Sequence, residues 1–218
     1  MDITAQAARR LLNWRTKNQR VYPWRQTADP YRVLIAEMML QRTKSDQVAR
    51  LYPRFLHKYP DPSALVRADI RDVEELLLPL GLKWRARKIW QLGKAITETF
   101  SGAVPTEREE LLALPGVGDY VAAAVLCFAY GRDVPIIDAN VSRVVGRLFN
   151  IETSGEARRD KKLIEKAHLV HRHVPSGKSK EFNWALLDFS ATICMPRKPS
   201  CPICPLNAIC QYQAKTSR

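Results

Sequence analysis

Apolar side chains recur at intervals of three and four along most of this chain, which restricts it to packed helices. Ile89, Leu92, Ile96 and Phe100 fall at i, i+3, i+7 and i+11, a single stripe on one helix face. Leu163, Ala167 and Val170 repeat the interval after Asp160. Asp29-Pro30 supplies an N-cap followed by proline at the first helical position, and predicts a helix running to about Thr43. Apolar and polar residues do not alternate for long, and no Asn-Gly or Asp-Gly pair marks a hairpin of strands. The pattern predicts an all-α protein of roughly ten helices, joined by turns such as Tyr59-Pro60-Asp61-Pro62 and Pro175-Ser176-Gly177.

With 46% hydrophobic residues in 218, the chain has enough apolar material for one large core or two small ones. Its longest apolar run, Val121–Tyr130, is about half of the roughly 20 residues a membrane helix needs, and no secretion signal opens the chain. The expected setting is therefore cytoplasmic or nuclear, without membrane contact, and a monomer is the default. Lys and Arg total 35 against 22 Asp and Glu, a net charge of +13. The surplus is spread from Arg9 to Lys198 rather than gathered in a tail, as suits a folded protein facing a polyanion.

Cys194, Cys201, Cys204 and Cys210 follow the spacing C-x6-C-x2-C-x5-C. Four thiols this close in an intracellular chain suit a shared soft metal better than disulfides. Only Cys201 and Cys204 form the CxxC pair typical of zinc sites, and iron–sulfur clusters accept less regular spacing, so both metals fit the spacing. Cys127 lies among Ala122, Val125, Leu126 and Phe128 and reads as an inert buried thiol.

Leu114-Pro115-Gly116-Val117-Gly118 separates two helical stretches. Two glycines around one apolar residue allow a tight turn whose backbone N–H groups, at the start of the next helix, favour a phosphate. Twenty residues beyond Gly118, Asp138 precedes a helix expected to begin near Ala139. That position suits an N-cap, and its apolar surroundings also suit a catalytic carboxylate.

Taken together, Leu114–Gly118, then Asp138-Ala139-Asn140-Val141 with Arg143, then the four cysteines resemble the helix–hairpin–helix DNA glycosylase superfamily, in its endonuclease III-like branch. The similarity spans about Tyr22 to Cys210. It implies two helical lobes with a DNA-binding cleft between them: a six-helix barrel over residues 24–134, and an iron–sulfur lobe joining residues 1–23 to 135–218. It implies a structural [4Fe–4S] cluster on Cys194, Cys201, Cys204 and Cys210. The expected partner is double-stranded DNA carrying a mismatched or damaged base, met through Gln41, Leu82, Gly116, Val117, Gly118, Arg143, Arg197 and Lys198.

The resemblance also assigns the chemistry. Asp138 matches the family's catalytic aspartate, which stabilises an oxocarbenium-like sugar as the base departs. Bifunctional relatives carry a lysine two residues after the second hairpin glycine, where it forms a Schiff base. Tyr120 stands there, and a phenol cannot form that imine, so little or no strand cleavage is expected. Glu37 matches a residue that protonates a departing purine in adenine enzymes, or reads a pyrimidine edge in thymine enzymes. Gln41 and Leu82 match residues that hold the duplex open.

The base is read from smaller differences. Gly81-Leu82-Lys83 and Asp138-Ala139-Asn140 resemble the thymine enzymes acting on T/G mismatches, whereas adenine enzymes usually carry Gly-Tyr-Tyr and a central glycine. Only eight residues follow Cys210, fewer than the domain with which adenine enzymes recognise 8-oxoguanine requires. Trp84-Arg85-Ala86-Arg87 is similar to the adenine pattern instead. Thymine or uracil opposite guanine is the expected target, with adenine opposite guanine or 8-oxoguanine as the alternative and a non-catalytic DNA-binding module as the second. Asp119 stands where relatives usually carry a cation, and is expected either to repel phosphate or to cap the helix.

Overall fold

The computed structural model describes residues 2–81, 83–152 and 159–212, and all regular structure among them is helical. Eleven α-helices follow one another: α1 (Ile3–Arg15), α2 (Pro30–Leu40), α3 (Ser45–Lys58), α4 (Pro62–Val66), α5 (Ile70–Leu77), α6 (Lys83–Thr99), α7 (Arg108–Ala113), α8 (Asp119–Phe128), α9 (Ala139–Leu148), α10 (Lys161–His171) and α11 (Ser179–Thr192). No helix among the described residues is long and apolar enough to cross a membrane. Aspartate begins five of them: Asp29, Asp61, Asp69, Asp138 and Asp160 each accept a first-turn N–H on the side chain. These caps satisfy donors that a helix start otherwise leaves orphaned.

The chain divides into two compact units. Val21–Tyr130 holds α2 to α8, with α4 little more than one turn. Helix α2 is buried on nearly all sides, from Tyr31 to Met39, and packs against α3, α6 and α8. Apart from Arg32 and Glu37 its residues from Tyr31 on are apolar, which suits this central place. The stripe Ile89, Leu92 and Ile96 is fully buried on α6, which also packs on α4 and α5.

The second unit joins the described residues of Met1–Arg20 to those of Gly131–Arg218. Here α1 packs on α10 and α11, and α9 on the same two helices, around Leu11, Val145, Leu148, Phe182 and Phe189. The N-terminal helix is held by a buried ion pair, Arg15 Nη1 to Asp188 Oδ2 at 3.5 Å, with the guanidinium over Trp184.

Sequence periodicity assigns His168 and His171 to one surface face of a helix. His168 is exposed, but His171 is only 9% exposed: the end of α10 turns it onto Phe182, and its Nε2 lies 2.9 Å from Ser179 Oγ. Burial pushes its pKa below the ordinary histidine value, and the nearby His168 adds to this against the opposing Asp133. The unfolded chain therefore takes up a proton near pH 6.5 that the folded chain refuses, so stability falls as pH drops below that value. Chemical denaturation of His171→Asn between pH 7.5 and 5 should show a shallower decline than the unaltered protein.

Candidate functional site

The glycine turn between α7 and α8 is built around two inward side chains, Leu114 and Val117, 3% and 8% exposed. Val117 N–H donates to Leu114 O at 3.1 Å, so that donor serves the turn and not an outside ligand. Gly116 has φ 82°, and a Cβ there would stand 2.7 Å from Met38 Cε. Gly118 caps α8 and brings no side chain to its first turn. A helix start without a side-chain cap, with the dipole behind it, suits an anion. Gly116→Ala combines left-handed strain with overpacking and should cost about 2 kcal/mol in urea unfolding.

Asp119 neither caps the helix nor stands as a lone negative charge: its carboxylate pairs with Arg108 Nη2. Tyr120 follows in the first turn of α8, half-buried. Beside the turn, Gln41 Nε2 donates to Gly116 O at 3.1 Å and lies 3.4 Å from Met38 Sδ. The end of α2 and the hairpin are thus one assembly. Glu37, one turn before Gln41, is 3% exposed and sits in the apolar body of α2, so it is no solvated surface charge. Leu82 lies outside the described residues; Gly81 before it has φ 69°.

Helix α2 ends at Leu40, earlier than its sequence predicts. The reason is remote: Arg85 on α6, 1% exposed, donates to Met39 O at 2.9 Å, to Thr43 Oγ1 at 2.8 Å and to Gln41 O. These acceptors close the helix and leave Arg42 in the left-handed region at φ 57°. Arg85 was not among the sequence candidates. The signal was present, because position 85 continues the stripe of 89, 92 and 96 backwards, with arginine where an apolar residue belongs.

In the other unit, Asp138 is half-buried at the start of α9. Its Oδ1 accepts from Val141 N at 2.7 Å and its Oδ2 from Asn140 Nδ2 at 2.8 Å. The cap and the candidate catalytic group are therefore the same carboxylate, fixed in orientation and with acceptor capacity left over. Arg143, expected to meet DNA, is half-buried and makes side-chain hydrogen bonds within its own unit. Its donors go to Asn140 Oδ1, Ser190 O and Cys194 O, each at 3.0 Å, because a planar guanidinium fits the carbonyls at the end of α11.

Cys194, Cys201, Cys204 and Cys210 line one cavity together with Arg147 and Tyr212. Burial, reinforced by the other three cysteines, pushes the Cys204 thiol up to about 11. Four thiols on one cavity are a donor set that a soft, multiply charged group would bind with loss of their protons. Among the described residues, no three His, Cys, Asp or Glu side chains converge on one point. Arg147, also missed from sequence, donates to Met195 O at 2.7 Å and Pro196 O at 2.6 Å and stacks on Tyr212. It thereby shapes the 194–201 loop, on which Arg197 and Lys198 are exposed.

An all-helical chain with an uncapped glycine hairpin and a fixed aspartate at a helix start belongs to the class of helix–hairpin–helix proteins. Residues 35–168 match the model of the HhH-GPD superfamily base excision DNA repair proteins. The chain is a member of that superfamily. It is 40% identical to a thymine-DNA glycosylase of Aeropyrum pernix, over 94% of this chain and 92% of that one. It is 38% identical to a thymine/uracil-DNA glycosylase of Methanothermobacter thermautotrophicus, over 94% and 91%. The structure of a thermostable thymine-DNA glycosylase superposes with a TM-score of 0.88 at 34% identity, covering 98% of this chain and 97% of that one.

Proposed function

We propose that this protein is a monofunctional DNA glycosylase that hydrolyses the N-glycosidic bond of thymine or uracil mispaired with guanine. The observation that carries the reading is the Asp138 carboxylate, half-buried, held by Val141 N and Asn140 Nδ2 and free to accept further contacts. The similarity to thymine and thymine/uracil enzymes over nearly the whole chain supports the choice of base.

The backbone donors at Gly118 and the start of α8 bind a phosphate of the damaged strand, and Arg197 and Lys198 bind others. The target nucleotide leaves the stack, and Gln41 with Leu82 fills the gap. Asp138 then stabilises the positive charge that develops on the sugar as the bond breaks. Thymine and uracil depart as delocalised anions, so the purine-protonating role of Glu37 is not needed. Glu37 instead orients the pyrimidine by accepting from its ring N–H. Water adds to the sugar, and the product is an abasic site in an unbroken strand.

The four cysteines are proposed to hold a [4Fe–4S] cluster. When bound, it supplies a cross-link between the end of α11 and the C-terminal turn, and performs no redox chemistry in base release.

The absence of lyase chemistry rests on Tyr120. A U/G duplex incubated with the protein should stay intact until alkali is added, then break at the uracil position. Breakage without alkali would contradict the monofunctional reading. Tyr120→Lys should introduce strand breakage and a complex trapped by borohydride, and failure to trap any would show that position 120 does not meet the sugar.

A further inference from the structure

Arg85 is the largest fully buried side chain among the described residues, and no carboxylate accompanies it. A guanidinium stripped of water is costly unless its donors are met. Here Met39 O, Gln41 O and Thr43 Oγ1 meet them, while Nε remains buried without a hydrogen-bond partner. Burial pushes the pKa of Arg85 below the usual arginine range, consistent with a charge that no anion neutralises. An apolar residue on this stripe would pack as well at less cost, so the arrangement serves the shape of the α2–α3 turn more than stability.

That shape is specific. The three acceptors lie on both sides of Arg42, whose left-handed backbone an L-residue adopts only when its surroundings hold it there. The same turn carries Gln41, which lies on the hairpin through Gly116 O. Since α2 is already buried along its length, its last turn is the part left to be set by an outside group. Arg85 provides that group from a different helix, at the negative end of the α2 dipole.

We propose that Arg85 is a positioning residue for base excision, holding the turn after α2 so that Gln41 stands where it can enter the gap left by the everted nucleotide. This rests on the role given above to Gln41. Arg85 touches no substrate; it acts through Gln41 and the main chain of residues 39–43.

A double-mutant cycle tests it, reading single-turnover uracil release from a U/G duplex and the fluorescence of 2-aminopurine placed beside the mismatch. Arg85→Met keeps the volume and removes the donors. It should slow release by about tenfold to a hundredfold, the range that a small misplacement of a positioning group produces, and reduce the fluorescence rise on binding. Combined with Gln41→Ala, it should be no slower than Gln41→Ala alone, because the two act as one unit. Thr43→Val, which removes one acceptor only, should slow release by a few-fold and show the same lack of additivity, so a poorly folding Arg85→Met leaves the question decidable. Fully multiplicative effects in either cycle would overturn the proposal, as would a wild-type rate for a folded Arg85→Met beside a slow Gln41→Ala. A wild-type rate for Gln41→Ala itself would instead remove the role of Gln41, and this inference with it.

Discussion

Asp138→Asn should release thymine from a T/G duplex about a thousandfold more slowly than the unaltered protein, a barrier increase of about 4 kcal/mol. The substitution removes the charge that opposes the developing cation on the sugar, together with the exposed hydrogen bond from Asn140 Nδ2, which an amide nitrogen cannot accept. Asparagine is as good an N-cap as aspartate, so the hydrogen bond to Val141 N at the start of α9 survives in kind. Melting temperature and affinity for the mismatched duplex should therefore stay close to the original values. Full activity in Asp138→Asn would refute the mechanism; loss of activity accompanied by unfolding of α9 would reduce Asp138 to a cap.

Cys204→Ala should have the largest effect on stability. If the four thiolates hold a [4Fe–4S] cluster, anaerobically prepared protein will absorb broadly near 400 nm, and the variant will lose that absorption. Metal-ligand bonds that exist only in the folded chain contribute directly to folding, so the variant should melt about 10–20 °C lower. The unit built from α1, α9, α10 and α11 should be the part affected, since all four cysteines lie in it. A colourless unaltered protein, prepared without oxygen, would count against the cluster whatever its activity.

Much of the fold was legible because it is local. Asp29, Asp138 and Asp160 announce helix starts through side-chain caps that need only the next three residues. The stripe on α6 and the turn at Gly116 are likewise written in short windows. What escaped is non-local. The end of α2 is set by Arg85, more than forty residues away, and His171 is buried because α10 meets Phe182 and Ser179 of the next helix. The internal partners of Arg143 were likewise invisible in the sequence: its fork matches the carbonyls at the end of α11. Arg197 and Lys198, on a loop with no such carbonyls assigned to them, do remain exposed. The useful rule is that an arginine inside an apolar helical stripe, as at position 85, predicts internal carbonyls, whereas one on a loop between two of the cysteines predicts solvent or polyanion.

The four thiols were legible as a set of soft donors but not as the site of a particular metal, because spacing alone does not fix how far apart the sulfurs end up. In the structure the four share one cavity. Base preference lies still deeper: Ala139 and the loop at Gly81 are small differences on a shared scaffold.

Base release measured side by side on T/G, U/G, A/G and A/8-oxoguanine duplexes, each followed by alkali, tests the central claim most directly. Strand breakage at thymine and at uracil, with adenine left in place, is the predicted result. Breakage at adenine alone, with both pyrimidines untouched, would contradict it.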